Sequence, residues 1–228
     1  MGELRLIAFT DFHGNAEAYE NAKHVVHTGT WDCVAVAGDI VNHDGALAKR
    51  RLMALARETV PLFFVPGNMD SRELSEWSGT GSVHSLHGRS AKVGNVFLVG
   101  LGGSPPGSFS TPFEVPEEAA ARLLNQAIAG FDKRSRLVLV SHCPPKNTKL
   151  DLVPIGEHAG SMAVRGFVEK SKPALVISGH VHEAKGLDAI GKTVLVNTGP
   201  AKDGNYVDIT VEGKVSVRFE NFLKPQLR

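Results

Sequence analysis

The sequence predicts an α/β protein whose first half is a parallel sheet with helices on its faces. Short, near-continuous apolar runs alternate there with stretches of helical periodicity. The residues capable of chemistry also gather directly after the apolar runs, at the strand ends where ligands of such sheets bind.

The elements follow in order. Residues 4–9 are an apolar run that predicts a strand, and residues 15–28 predict a helix with Ala18, Ala22, Val25 and Val26 on one face. Residues 33–37 predict a second strand. Asp44 opens a helix whose inward face is Ala48, Leu52, Leu55 and Ala56, and residues 61–65 predict a third strand. The pattern then changes: residues 83–101, with Gly88 and Gly94, read as antiparallel strands joined by tight turns. Residues 102–116 form a Gly/Pro/Ser loop holding Phe109 and Phe113, long enough to suggest a functional role. Pro116, Glu117 and Glu118 start a helix, with proline in the first turn and acids near the positive end of the dipole. Residues 137–140 and 174–177 predict two more buried strands, and residues 193–222 alternate as antiparallel strands around Gly204 and Gly213. No repeat or linker interrupts the chain, so a single domain over residues 1–228 is expected.

Bulk properties exclude several function classes. A formal net charge of +1, with basic residues scattered, offers no stripe of the kind that duplex nucleic acid requires. No stretch approaches the roughly 20 apolar residues of a membrane-spanning helix. The first apolar run is too short for a signal-peptide core, and with only Cys33 and Cys143 present a cytoplasmic location is expected.

Five short blocks carry the chemistry: Asp11-Phe12-His13, Gly38-Asp39, Gly67-Asn68-Met69-Asp70, Ser141-His142 and Gly179-His180-Val181-His182. Singly each has an ordinary explanation, since Asp and Asn often cap helices or make turns. Together they offer Asp11, His13, Asp39, Asn68, His142, His180 and His182 as oxygen and nitrogen donors. That set suits manganese, iron, zinc or nickel and has no need of a thiolate. Seven donors exceed the four of a structural zinc site. Paired cations about 3.5–4 Å apart are machinery for phosphate-ester hydrolysis.

The five blocks, in this order, resemble the calcineurin-like metallophosphoesterase family from Asp11 to His182. The later stretch with Pro144-Pro145, Gly156-Glu157-His158 and Gly160-Ser161 is similar to the small prokaryotic Icc-like members. The resemblance implies a four-layer α/β/β/α sandwich with two mixed β-sheets and a centre of two divalent metal ions. One ion would take Asp11, His13, Asp39 and His182; the other would take Asp39, Asn68, His142 and His180. A bridging hydroxide would attack the phosphorus of a small phosphoester.

The chain departs from the family in one place. Met69 stands where many members have a histidine that assists the leaving oxygen, and methionine cannot act as an acid. His43, just after the Asp39 turn, and His158, in the loop after His142, are the substitute acids the sequence offers; with Asp39 and Asn68 they complete the expected catalytic set. The leading expectation is a metal-dependent phosphodiesterase acting on small phosphodiesters or nucleotides. The alternatives are a phosphomonoesterase or nucleotide pyrophosphatase, and a non-catalytic scaffold on the same fold, which an intact donor set argues against.

Overall fold

Neighbouring residues of one strand bury into different layers, and this alternation builds the architecture. The computed structural model describes residues 3–107 and 109–223. Its first strands are β1 (Leu4–Phe9), β2 (Cys33–Ala37), β3 (Leu62–Val65), β4 (Gly79–Thr80), β5 (Val83–Ser85), β6 (Ser90–Val93) and β7 (Val96–Leu101). The later ones are β8 (Arg136–Ser141), β9 (Leu175–Ser178), β10 (Gly186–Ile190), β11 (Thr193–Asn197), β12 (Asn205–Val211) and β13 (Val215–Asn221). The helices are α1 (Ala16–Thr28), α2 (Gly45–Leu55), α3 (Arg72–Glu76), α4 (Glu117–Ala127) and α5 (Met162–Ser171).

The strands form two mixed sheets, ordered β13-β12-β1-β2-β3-β5-β4 and β10-β11-β9-β8-β7-β6. In the first sheet Ile7, Phe9, Val34, Val36, Leu62 and Phe64 face outward and pack under α1 and α2. The alternate residues Leu6, Ala8, Cys33, Ala35 and Phe63 face inward, against Leu98, Val138, Val140, Leu175 and Ile177 of the second sheet. The outer side of that sheet, with Val99, Leu139 and Val176, is covered by α4 and α5. The result is the four-layer α/β/β/α sandwich, and strands buried on both faces explain the near-continuous apolar runs.

β1 and β2 occupy the predicted residues. Asn15 caps α1 by accepting the Ala18 N–H at 3.0 Å, and Asp44 caps α2 by accepting that of Leu47 at 2.8 Å. Two expectations need correction. Residues 83–101 are divided between the sheets: β5 pairs parallel with β3, and only β6 and β7 form the antiparallel hairpin. In the C-terminal stretch β11 pairs parallel with β9 in the second sheet, whereas β12 and β13 form a hairpin in the first. Pairing partners there are set by where the chain crosses between sheets, which local alternation does not encode. Pro116 precedes α4 as its cap residue, and Glu117 serves a different helix. Its carboxylate accepts the Met162 and Ala163 N–H groups of α5 at 2.8 and 2.7 Å, and the Ser161 hydroxyl at 2.7 Å. No helix among the described residues is long and apolar enough to cross a membrane.

Candidate metal centre

The parallel strands β1, β2, β3, β8 and β9 all point their carboxyl ends at one place, where the two sheets meet. Each delivers a donor within a few residues of its end: Asp11 and His13, Asp39, Asn68, His142, and His180 with His182. The backbone there is forced into uncommon shapes. Asp11, His13, Asp39 and His180 all have positive φ, between 47° and 68°. Non-glycine residues occupy that region at a cost of about 1–2 kcal/mol each, and such strain concentrates at functional sites. Hydrogen bonds between loops hold it: Asp11 N–H to Gly38 O at 3.0 Å and His13 N–H to Asp39 O at 2.9 Å. Close approach is needed as well. A Cβ at Gly67 would overlap the Asp39 carboxylate, and one at Gly179 would overlap Thr10 and Asp11.

The structure gathers all seven predicted donors. His13 Nε2 lies 3.2 Å from His182 Nε2, 3.8 Å from Asp11 Oδ1 and 3.7 Å from Asp39 Oδ2. His182 Nε2 is 3.4 Å from Asp11 Oδ1. On the other side His142 Nε2 lies 3.6 Å from Asp39 Oδ2 and 2.9 Å from Asn68 Oδ1, which is also 2.9 Å from His180 Nδ1. Asp39 Oδ2 therefore sits between two groups of donors, while its Oδ1 accepts the Met69 N–H at 2.8 Å.

Proton positions show what this cluster lacks. His142 Nδ1 must donate to the Ala37 carbonyl, 2.8 Å away, because a carbonyl only accepts. In the neutral ring the lone pair is then on His142 Nε2, 2.9 Å from the Asn68 oxygen. His13 Nδ1 donates likewise to Asn42 Oδ1 at 2.9 Å, leaving a lone pair on Nε2 toward His182. Asp11 Oδ1 is buried and accepts no hydrogen bond. Acceptors aimed at one another, with an orphaned carboxylate oxygen among them, are what cations would satisfy.

The charge balance agrees. Burial, then the neighbouring Asp11, pushes the Asp39 carboxyl well up, so the pair resists joint ionisation without a countercharge. Burial would raise Asp11 too, but the imidazoles of His182 and His142 hold it down at about 2. Burial, followed by His142, drives His180 down to about 3 and keeps it neutral, as a ligand must be. Contact with Asp11 holds His182 up against its burial. Asp11, His13 and His182 are placed to hold one ion, and Asp11, Asp39 and His142 also converge.

Residues beyond the seven donors support these ligands. Asn42 orients His13. Asp70 is fully buried and accepts the Ile40, Val41 and Gly67 N–H groups at 3.1, 2.9 and 2.8 Å, clamping the Asp39 and Asn68 loops together. Burial and Asp39 push its carboxyl up to about 7, while the backbone donors pull it down. Asn197, also fully buried, donates to Val181 O at 2.8 Å and Gly179 O at 3.3 Å, fixing the turn that bears His180 and His182. Apart from the Gly67–Asp70 bond, which spans three residues, these contacts join separate loops and have no local sequence signal.

The two candidate acids are both exposed and differ in their hydrogen bonding. His43 is exposed, its N–H bonds Met69 O at 2.9 Å, and its ring makes no hydrogen bond among the described residues. His158 Nδ1 is held at 2.8 Å by the buried Asp151, which also gathers the Asn147, Thr148 and Gly160 N–H groups of the same loop. Of the loop aromatics, Phe113 is buried, packs edge-on against His87, and donates its N–H to Asn68 O at 3.0 Å. Phe109 is 87% exposed. Asn15 serves as the α1 cap.

Comparison with known proteins gives a consistent picture. Residues 4–184 match the family described as calcineurin-like phosphoesterase. The uncharacterized protein MJ1162 of Methanocaldococcus jannaschii is 29% identical over 202 residues, covering 86% of this chain and 88% of its own. Among solved structures, TT1561 of Thermus thermophilus superposes with a TM-score of 0.75 at 17% identity, covering 97% of this chain and all of that one. An archaeal phosphodiesterase gives 0.51 at 13% identity, covering 95% of this chain and all of that one. At these identities the solved structures bear on the fold.

Proposed function

The chain belongs to the calcineurin-like phosphoesterase family, metal-dependent hydrolases of phosphoester bonds, and from that premise we propose that it hydrolyses small phosphodiesters at a centre of two divalent cations. The observation that supports this reading best is the position of Asp39 Oδ2, 3.7 Å from His13 Nε2 and 3.6 Å from His142 Nε2, between two sets of donors. Asp11, His13, Asp39 and His182 would hold one ion, and Asp39, Asn68, His142 and His180 the other. Bound there, the cations would supply a water-derived nucleophile and neutralise the phosphoryl oxygens. The protein's part is orientation: Asn42 and the Ala37 carbonyl fix two imidazoles, and Asp70 and Asn197 fix the loops. The intact donor set disfavours a purely scaffolding role. The reading is tested with bis-p-nitrophenyl phosphate against p-nitrophenyl phosphate in the presence of manganese, nickel or zinc. It requires metal-dependent diester turnover in excess of monoester turnover; monoester preference replaces it with a phosphomonoesterase.

Met69 leaves the departing oxygen without its usual acid, and His158 is the better substitute. A buried carboxylate orients its imidazole and leaves Nε2 directed away from that anchor, an arrangement suited to proton transfer. His43 has no such partner. His158→Ala is expected to slow turnover of an alkyl phosphodiester by about 10²-fold. It should leave the bis-p-nitrophenyl ester, whose leaving group departs without a proton, nearly unchanged. Equal losses on both esters, or none on either, rule out the assignment.

A further inference from the structure

We infer that Lys202 is a substrate-binding cation of this centre, its ammonium holding a non-bridging oxygen of the phosphoryl group. The inference rests on the phosphoesterase reading and names a residue outside the five ligand blocks. Lys202 lies on a short 3-10 turn, Ala201–Asp203, that follows Asn197-Thr198-Gly199-Pro200. The turn is docked on the first ligand loop: Ala201 N–H donates to Thr10 O at 2.7 Å, and Lys202 N–H donates to Asp11 O at 3.2 Å. Ala201 is fully buried, so the backbone bearing the lysine is fixed against the backbone of a proposed metal ligand.

Its electrostatic reach covers one side of the centre. The Lys202 charge pushes the imidazoles of His13 and His182 down and pulls the Asp39 carboxyl down. It is the one lysine or arginine among the principal groups acting on those three side chains, within the described residues. The side chain is half-buried and makes no ion pair among the described residues, whereas Lys49, Arg5, Arg134, Arg165 and Arg218 all do. An unspent cation beside an anion-binding centre is suited to an anionic substrate, and a lysine acts on phosphate as a mobile point charge.

The test compares wild type, Lys202→Gln and Lys202→Arg, all metal-loaded and full length. It reads metal content, the dissociation constant of inorganic phosphate by calorimetry, and KM and kcat for bis-p-nitrophenyl phosphate. Lys202→Gln is expected to keep wild-type metal content, weaken phosphate binding about tenfold and raise KM. Lys202→Arg should recover most of the loss because the charge is restored. Unchanged phosphate binding and KM in Lys202→Gln overturn the inference, as does loss of metal content, which would place the lysine's effect on the ligands. If the wild type binds metal and turns over the diester while Lys202→Gln matches it throughout, this inference alone fails. A wild type that binds no metal overturns the phosphoesterase reading and this inference with it.

Discussion

Asp39→Asn is expected to lower metal-dependent phosphodiester turnover by at least about 10³-fold, while the protein still folds. Asp39 lies within reach of both donor groups: its Oδ2 is 3.7 Å from His13 Nε2 and 3.6 Å from His142 Nε2. Replacing one carboxylate by an amide keeps the shape and removes a charge that would be shared by two cations. Metal-derived stabilisation of the reacting phosphoryl group amounts to several kcal/mol, and each 1.36 kcal/mol is tenfold in rate. The fold should survive, because the Met69 N–H that Asp39 Oδ1 accepts can be accepted equally by an amide oxygen. Burial and Asp11 already push the Asp39 carboxyl up in the metal-free protein, so neutralising it relieves a repulsion there. Steady-state kinetics over a manganese titration, with a thermal melt as control, checks this. Turnover within tenfold of wild type would remove Asp39 from the centre.

Asp70→Ala should be the most damaging single change to the fold around the site. It strands three buried N–H groups, those of Ile40, Val41 and Gly67, each at about 1–3 kcal/mol. The expected loss is about 3–5 kcal/mol, a fall in Tm of roughly 10 °C for a chain of this size. Asp70→Asn keeps one acceptor oxygen and turns an amide N–H₂ toward backbone donors, so it should fall between wild type and alanine. Calorimetric melts of the metal-free protein measure both. A loss below about 1 kcal/mol in Asp70→Ala would show that the loops are held by other contacts. Where the family has an adjacent histidine for such an aspartate to orient, this chain has Met69, and the carboxylate here is spent on the backbone.

Legibility from sequence follows the range of each interaction. β1 and β2 could be read to the residue, since burial on both faces writes an unbroken apolar run, and Asn15 and Asp44 announced α1 and α2 through caps three residues away. α5 escaped notice although Ser161 caps it by accepting the Val164 N–H three residues on: Gly166 weakens its helical pattern, and the Met162 and Ala163 N–H groups are served by Glu117, more than 40 positions away. β5 is short and β10 is an edge strand, and the partner of β11 depends on a chain crossing. The seven donors were readable because each follows directly on its strand. The supports Asn42 and Asn197 were not, because they act on other loops. His158 was noticed as a histidine in a bounded loop, but its anchor Asp151 belongs to no motif.

The central claim is a two-cation centre, and the most direct measurement is metal content by inductively coupled plasma mass spectrometry. Protein purified without chelator is dialysed against manganese or zinc and counted per chain, alongside Asp39→Asn. Two ions per wild-type chain, falling to one or fewer in the variant, is the predicted result. Two ions in neither protein, or equal content in both, would contradict the shared-carboxylate centre.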